Sequence, residues 1–170
     1  MPVLEARTTV HRPPEVVFDA LSDLRRYEAY STHLAAVERT GDGGVGTEYD
    51  LRFEWWRVAY AVRSTVTAVD RPARLDFEVV RGLAASGSWL VDAGAADGAS
   101  RVTFVVRYDP DTVASSALQL PALTPISWVI DRVAPLVERE ARGVVERVVR
   151  DLEGSERDVD LEVTIRAADR

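Results

Sequence analysis

Residues 124–154, TPISWVIDRVAPLVEREARGVVERVVRDLEG, carry the pattern on which the fold prediction depends. Apolar side chains recur at three- and four-residue steps from Ile126 to Leu152, which is the spacing of one continuous face of an α-helix. The opening Thr-Pro pair suits a helix N-terminus, and the closing glycine suits a helix end. Pro135 lies inside the pattern, so we expect a kink there or a helix that begins there. The stretch predicts a long helix with one buried face.

Upstream of this helix, apolar and polar residues alternate with the period of half-buried β-strands. The clearest alternation runs from Glu48 to Trp55, where Tyr49, Leu51 and Phe53 point one way and charged residues point the other. Six further strands are predicted around residues 3–10, 34–39, 58–69, 75–79, 86–92 and 101–108. Short turns join most successive strands, so we expect an antiparallel meander that curls around a core.

Two short helices and a C-terminal strand complete the predicted elements. The first helix runs from Pro14 to about Asp23, and the second covers residues 24–30. In the tail, apolar residues alternate at positions 159, 161, 163 and 165, which predicts one added strand. Four apolar side chains are too many to leave in water, so this strand should dock on a sheet edge, and we favour its own chain over a partner's. The chain is predicted to be one α+β domain, residues 1–170, with a core at 3–153 and a strand extension at 155–170.

The composition excludes several classes of function. The chain has 170 residues, 21 of them basic and 28 acidic, and the net charge of −7 argues against nucleic acid as a partner. It contains no cysteine, and its two histidines, His11 and His33, are far apart, so we expect no metal and no cofactor. No stretch reaches the roughly 18 apolar residues that span a bilayer, which predicts no stable membrane insertion and a cytoplasmic location.

The order of these elements, together with four segments of the sequence, resembles a known superfamily. Residues 3–6, VLEA, and 13–23, PPEVVFDALSD, resemble the opening of the START/Bet v 1-like superfamily, also called the SRPBCC or polyketide cyclase/dehydrase group. The turn DRPARL at 70–75 and the hairpin from Gly87 to Arg107 continue the likeness, which covers residues 3–152. The resemblance implies a helix-grip fold, in which a curved antiparallel sheet of about seven strands wraps around the long C-terminal helix. It also implies a cavity for an apolar or aromatic molecule, but it carries over no catalytic residues.

The inward positions of the strands and the helix stripe define a candidate ligand site. The predicted ligand-binding residues are Tyr49, Leu51, Phe53, Trp55, Tyr60, Val62, Phe77, Trp89, Phe104, Val106 and Tyr108 on the sheet, with Val133, Leu136, Val137 and Glu140 on the helix. Aromatic side chains in this arrangement can stack against a planar ligand. The alternative is that they fill the space under the helix.

Three polar residues are candidates for proton transfer. Glu140 falls on the apolar stripe, where burial would raise the pKa of its carboxyl group unless the group is paired. An ion pair, with Arg147 as one possible partner, is the alternative for Glu140. His33 lies in a loop expected at the cavity rim and could act as a base, although a lone loop histidine is usually a solvated surface residue. The hydroxyl of Tyr60 could orient a ligand or bind water.

Three functions remain open from the sequence. The first is binding, carriage or sensing of a hydrophobic small molecule such as a lipid, a quinone or a polyketide-like compound. The second is a cofactor-free cyclase or dehydratase that uses Glu140, Tyr60 or His33. The third is a protein-interaction module that uses the added edge strand. The chain is expected to be a monomer or a homodimer.

Overall fold

The computed structural model describes residues 2–55, 58–112, 118–119 and 126–167, with residues 110, 118–119 and 126–138 described by their backbone alone. Within these ranges, one antiparallel sheet contains β1 (Val3–Val10), β2 (Leu34–Thr40), β3 (Glu48–Trp55), β4 (Val58–Asp70), β5 (Arg74–Arg81), β6 (Ala84–Ala93), β7 (Ser100–Asp109), β8 (Leu118–Gln119) and β9 (Glu162–Arg166). The strand order is β2-β3-β4-β5-β6-β7-β1-β9, and β8 pairs with β4. The seven strands from β1 to β7 confirm the predicted meander, whereas β8 was not predicted.

Besides the sheet, the described residues form two α-helices and two short 3-10 helices, one of which follows β7 at Pro110–Thr112. Helix α1 (Pro14–Ser22) begins after Pro13, whose backbone is extended, and the proline at its first position has no amide hydrogen to leave unpaired. A 3-10 helix follows at Leu24–Ala29, and the side chain of Asp23 caps it by accepting the N–H of Arg25 at 3.1 Å. Both elements lie where the sequence predicts two short helices.

The long helix α2 (Ile126–Glu153) spans 28 residues and ends at Gly154, whose φ is +79°. The glycine N–H donates to the carbonyl of Arg150 at 2.8 Å, which closes the last turn. The helix begins before Pro135, so the alternative of a helix starting at that proline is wrong. The predicted Thr-Pro start at 124–125 lies outside the described residues, and a kink at Pro135 stays a prediction.

The core lies where α1 and the C-terminal half of α2 meet the sheet. Val148 and Val149 of α2 are buried in one cluster with Val10 of β1 and with Val17 and Phe18 of α1. This packing places α2 across the inner face of the sheet. The architecture confirms the predicted α+β helix-grip fold.

The C-terminal tail docks on its own chain. β9 pairs antiparallel with β1, with Leu4 opposite Ile165 and Ala6 opposite Val163. Docking does not bury the tail as expected, because Val163 remains 45% exposed and Ile165 63% exposed. Val159 packs against the core, so the burial of all four apolar side chains was a wrong expectation. The sheet ends at β9, and no other element covers its inner face there in the described part of the chain.

Candidate functional site

Glu140 connects α2 to the loop that follows the 3-10 helix. Its carboxylate accepts the backbone N–H of Thr32 at 2.9 Å and the hydroxyl of Ser31 at 3.1 Å. Arg147, two turns further along α2, approaches the same carboxylate at 3.4 Å. The predicted ion pair with Arg147 is therefore present.

These contacts overturn the expected titration of Glu140. Burial raises the pKa of the carboxyl group, but the hydrogen bonds from Thr32 and Ser31 and the positive charges of Arg147 and His33 outweigh it. The net result is a pKa below the ordinary value, because each of these contacts favours the ionised form. The prediction that Glu140 titrates above its ordinary range was wrong, and the carboxyl group is unsuited to act as a general acid near neutral pH.

His33 lies beside Glu140, at the end of the same loop. Its Nδ1 atom is 3.2 Å from the carbonyl oxygen of Glu54, so Nδ1 carries the hydrogen of that contact. Its Nε2 atom faces the Glu140 carboxylate at 3.9 Å. The ring also stacks on Trp55, with ring centroids 5.1 Å apart. Nε2 is thus the nitrogen that can accept or release a proton, and it lies next to an aromatic surface and a fixed negative charge.

A second set of contacts strengthens the same junction between loop and helix. Arg147 donates a hydrogen bond to the backbone carbonyl of Tyr30, and the Tyr30 hydroxyl donates to Asp151. Burial and the Asp151 carboxylate raise the pKa of Tyr30 to about 12, so this phenol remains protonated across the physiological range. Glu140, Arg147 and Asp151 therefore fix residues 30–33 along one side of α2.

Aromatic side chains form two groups on the inner face of the sheet. In the first, Phe53 and Trp55 stack on β3 with ring centroids 5.5 Å apart, and His33 extends the stack. In the second, Trp89 lies 4.4 Å from Phe104, which stacks in turn on Phe77 at 5.9 Å. All five of these phenylalanine and tryptophan side chains are half-buried, so part of each aromatic surface remains accessible.

Gly87 on β6 makes room for the second group. A methyl group at this position would lie 2.6 Å from Cζ of Phe77 and 2.4 Å from the carbonyl oxygen of Val105. Gly87 is the register partner of Phe77 on β5, so the phenyl ring lies directly over the glycine backbone. The absence of a side chain at position 87 is what allows this ring to lie flat against the sheet.

The remaining predicted ligand-binding residues fall into four sets. Tyr49 is buried in the core and donates its hydroxyl to the carbonyl of Ser22 at 3.2 Å, so it packs the fold rather than facing an open space. The hydroxyl of Tyr60 donates to the carbonyl of Gly82 at 2.5 Å and is not free to orient a ligand. Four side chains, Leu51, Val62, Val106 and Tyr108, are half-buried. Three helix residues, Val133, Leu136 and Val137, have no described side chain.

One buried polar atom is unpaired within the described part of the chain. The indole Nε1–H of Trp55 is inaccessible to water and has no acceptor among the described residues. A buried donor without an acceptor is costly, and such groups commonly mark a ligand or water site. This donor lies in the same stack as His33, at the end of β3.

Sequence reasoning missed Tyr27 and Tyr30 as parts of this region. Tyr27 lies 6.5 Å from Trp89 and 6.4 Å from Tyr30 between ring centroids, so it joins the second aromatic group to the loop. Both tyrosines lie in the second short helix predicted at residues 24–30, to which no part in the site was assigned. Their spacing of three residues on one face was the signal that could have identified them.

Two surface grooves lie on the side of α2 that faces its C-terminal loop. One, of about 590 Å³, is lined by charged residues that include Glu146, Arg150 and Arg157, and the other, of about 440 Å³, lies beside Tyr30 and Asp151. Both grooves are lined in part by charged side chains, and their arginines form hydrogen bonds within the chain, so they differ from the apolar cavity predicted between sheet and helix. Among the described residues, no cluster of histidine and acidic side chains could hold a metal ion, and no helix is apolar enough to cross a membrane.

The fold is shared with solved structures of low sequence identity. The crystal structure of the Zhui aromatase/cyclase from a Streptomyces species superposes with a TM-score of 0.66 at 14% identity, covering 90% of this chain and 94% of that one. The crystal structure of Ara h 8.0201 gives a TM-score of 0.63 at 19% identity, covering 90% and 98%. The crystal structure of the di-domain ARO/CYC protein StfQ from the steffimycin biosynthetic pathway superposes with a TM-score of 0.58 at 18% identity, covering 88% of this chain and 44% of that one. At these identities the comparisons show the Bet v 1-like helix-grip class of fold and no more.

The family is shown by the sequence itself. A family model described as polyketide cyclase/dehydrase and lipid transport matches residues 1–153, nine-tenths of the chain. The protein belongs to this family, which confirms the superfamily that the sequence motifs indicate. No curated protein sequence matches the chain closely enough to count as a relative.

Proposed function

We propose that the protein binds a hydrophobic small molecule with a flat aromatic part in the space between the inner face of the sheet and α2, in order to carry or sense it. The ligand belongs to the lipids, the quinones or the polyketide-like compounds. The observation that carries this proposal is the half-burial of the inward-facing aromatic side chains, notably Trp55, Trp89 and Phe104. Side chains that only fill a core are normally closed off from solvent, whereas accessible aromatic surface beneath a helix is typical of a ligand site.

The unpaired donor of Trp55 adds chemical detail to this proposal. Because this donor is closed off from solvent, a ligand with a carbonyl or phenol oxygen at its edge would accept the indole Nε1–H by displacing the side chains that cover it, with its ring among Phe53 and His33. Such a contact satisfies a buried hydrogen-bonding group, which favours an oxygenated aromatic ligand over a saturated chain. Membership of a family described by both polyketide cyclisation and lipid transport supports the same range of ligands.

Binding of emodin, a hydroxylated anthraquinone, compared with palmitate tests this proposal by isothermal titration calorimetry. We expect emodin to bind more tightly than palmitate, and Phe104→Ala to weaken emodin binding about tenfold or more, because it removes the centre of the second aromatic group. Trp55→Phe keeps the ring stack but removes the indole donor, and should weaken emodin binding by a smaller factor.

Val45→Ala is the matched control, since Val45 is an exposed apolar residue in the turn between β2 and β3. It should leave emodin binding unchanged. Failure of both ligands to bind the folded protein at millimolar concentration would contradict the proposal, as would equal losses in Phe104→Ala and Val45→Ala.

A second candidate, a cyclase or dehydratase, is favoured by the position of His33. Of the three candidates for proton transfer, two are unsuited. The lowered pKa of Glu140 keeps its carboxyl group ionised, and the hydroxyl of Tyr60 donates its hydrogen to the Gly82 carbonyl. His33 alone presents a nitrogen, Nε2, that is not required by a backbone contact. The Glu140 carboxylate would stabilise the imidazolium formed when Nε2 takes up a proton.

The chemistry available to His33 is an aldol-type ring closure without a cofactor. Nε2 would remove a proton from a carbon that lies between two carbonyl groups of the substrate, and that carbon would form a bond to a ketone carbon of the same chain. The resulting alkoxide would take the proton back from Nε2. Loss of water from the product, followed by enolisation of the remaining ring ketones, would then give the aromatic ring.

Incubation of the protein with a linear poly-β-ketone thioester, followed by mass spectrometry of the products, tests this second candidate. We expect His33→Ala to abolish any product that the full chain forms beyond the buffer blank, while emodin still binds, although more weakly because the variant lacks the His33 ring of the first aromatic group. Identical products from the protein and the blank would exclude the enzyme and leave the binding function standing.

A further inference from the structure

β9 forms an exposed edge of the sheet. β1 pairs with one side of β9, and no strand in the described part of the chain pairs with the other side. Val163 and Ile165 lie opposite Ala6 and Leu4, and Ala6 in turn lies opposite Phe104 on β7. These two apolar residues therefore extend the inner face of the sheet into solvent. An edge with free backbone groups and exposed apolar side chains is suited to pairing with another strand.

The sequence of β9, EVTIR at 162–166, is complementary to itself in the antiparallel direction. A two-fold axis through Thr164 would set Glu162 opposite Arg166 of a second copy, and Arg166 opposite Glu162. The same axis would set Val163 opposite Ile165 on the inner face. Such a pairing forms two opposite-charge contacts and two apolar contacts with no like charges in register.

The other edge of the sheet lacks this property. β2 has the sequence LAAVERT at 34–40, and a two-fold axis through Val37 would place Glu38 and Arg39 opposite alanines. Leu34 and Val37 are already buried in the core of their own chain. Over the full length of the edge strand, charge complementarity is therefore found in β9 and not in β2, and it selects a second copy of this chain as the partner.

We propose that β9 is a dimerisation strand, through which two copies form one continuous antiparallel sheet centred on Thr164. Under a single two-fold axis, the unpaired backbone N–H and C=O groups of β9 in each copy gain hydrogen-bond partners in the other copy. It uses none of the residues assigned to ligand binding or to proton transfer, so its test is independent of the proposed function.

Sedimentation equilibrium of the full chain tests the dimer. We expect the mass to rise from 18.8 kDa towards twice that value with increasing protein concentration at low salt, and to fall back at about 1 M salt, where exposed charge pairs are screened. Arg166→Glu sets like charges opposite each other at both ends of the pairing and should weaken the dimer about tenfold or more. Arg101→Glu makes the same charge change on an exposed residue of β7 and should leave the dimer unchanged.

Mixing two opposite variants tests the register. Glu162→Arg alone should also weaken the dimer, but an equimolar mixture with Arg166→Glu should restore it, because every charge in the mixed pair then faces an opposite charge. Since Glu162 also lies opposite Arg7, hydrogen exchange of β1 amides monitors whether β9 stays docked on its own chain. A chain that stays monomeric up to about 1 mM overturns the proposal, and so does equal weakening by Arg166→Glu and Arg101→Glu. A mixture that stays monomeric with β1 protected overturns the proposed register.

Discussion

Glu140 of α2 accepts the backbone N–H of Thr32 at 2.9 Å, although 108 residues separate the two in sequence. The bond fixes the long helix to the loop that carries His33. Helix α2 has described core contacts from Val144 onward, so Glu140 lies before that buried section. The position of this part of α2 above the sheet, and with it the depth of the proposed ligand site, therefore depends on a polar contact.

Glu140→Gln should destabilise the protein, because an uncharged amide replaces a carboxylate that receives several hydrogen bonds. The Glu140 side chain is 15% exposed, and loss of charge-assisted bonds at such a site costs about 1–3 kcal/mol in the free energy of unfolding. Glu146→Gln is the matched control on the exposed face of the same helix and should cost less than about 0.5 kcal/mol. Urea unfolding at neutral pH measures both, and equal values would contradict the structural role of Glu140.

The same carboxylate should make stability depend on pH. Its folded-state pKa is lower than its ordinary value of 4.5, so its contribution is fully present above about pH 4.5 and is lost as the pH falls through the lowered pKa. Glu140→Gln removes the group, so wild type and variant should differ at pH 7 and converge in acid. Urea midpoints at a series of pH values down to about 3 measure this, and a constant difference across the series would rule out the titration of Glu140 as its cause.

Glu153 and Arg157 form a second ion pair, at the C-terminal end of α2, in which the Glu153 carboxylate is buried. Arg157 donates to both carboxylate oxygens, at 2.7 and 2.9 Å, and to the carbonyl of Thr9 at 2.8 Å, while the N–H of His11 donates to Glu153 at 2.9 Å. This contact ties α2, β1 and the tail together. The hydrogen bond from Arg157 is the main reason that the pKa of Glu153 lies below its ordinary value.

Arg157→Ala should strongly lower the free energy of unfolding. The substitution leaves the carboxylate of Glu153, which is only 6% exposed, without its main partner. Removing one member of a buried pair costs about 3–5 kcal/mol. Arg150→Ala breaks a pair of similar length with Glu156, 2.9 Å apart but 53% and 78% exposed, and should cost less than about 1 kcal/mol. Thermal unfolding of the two variants compares them directly, and similar melting temperatures would contradict this difference.

Strand positions were predictable from the sequence because alternation is a local property. β1 was expected at residues 3–10 and lies at Val3–Val10, and β3 was expected and found from Glu48 to Trp55. β4 departs from simple alternation, since its pairing with β5 shifts register between Val66 and Ala68. Such a shift depends on the partner strand and leaves no periodic signal in the strand itself.

The candidate site was less predictable because its contacts join distant segments. The helical angle of Glu140 correctly predicted a largely buried side chain, 15% exposed, but the carboxylate contacts the loop at residues 31–33 and its pKa was predicted in the wrong direction. The reason is that a backbone N–H at Thr32 and a hydroxyl at Ser31 approach it, and a hydrogen bond from the main chain has no residue-type signature. The added strand shows the same difficulty, since its docking on a sheet edge of its own chain was predicted, but neither the partner strand β1 nor the exposure of Ile165 was.

The glycine beneath Phe77 provides a test of the inner face that requires no ligand. Gly87→Ala places a methyl group 2.4 Å from the carbonyl oxygen of Val105 and 2.6 Å from the phenyl ring, and a main-chain atom cannot move aside as a flexible side chain can. The strand pair β6–β7 must then separate locally or the ring must turn away, and overpacking of this kind costs about 1–3 kcal/mol. Because Phe77 stacks on Phe104, a displaced ring also disturbs the second aromatic group.

Gly44→Ala is the matched control for this substitution, since its methyl group would meet only the side chain of Asp42, at 3.1 Å, in the turn between β2 and β3. We expect Gly87→Ala to lower the melting temperature clearly more than Gly44→Ala does. We also expect it to change the near-ultraviolet circular dichroism, because Trp89 packs against Phe104. A Gly87→Ala protein with the stability and near-ultraviolet spectrum of wild type would mean that the inner face has space above residue 87 and that Phe77 does not lie flat on the sheet.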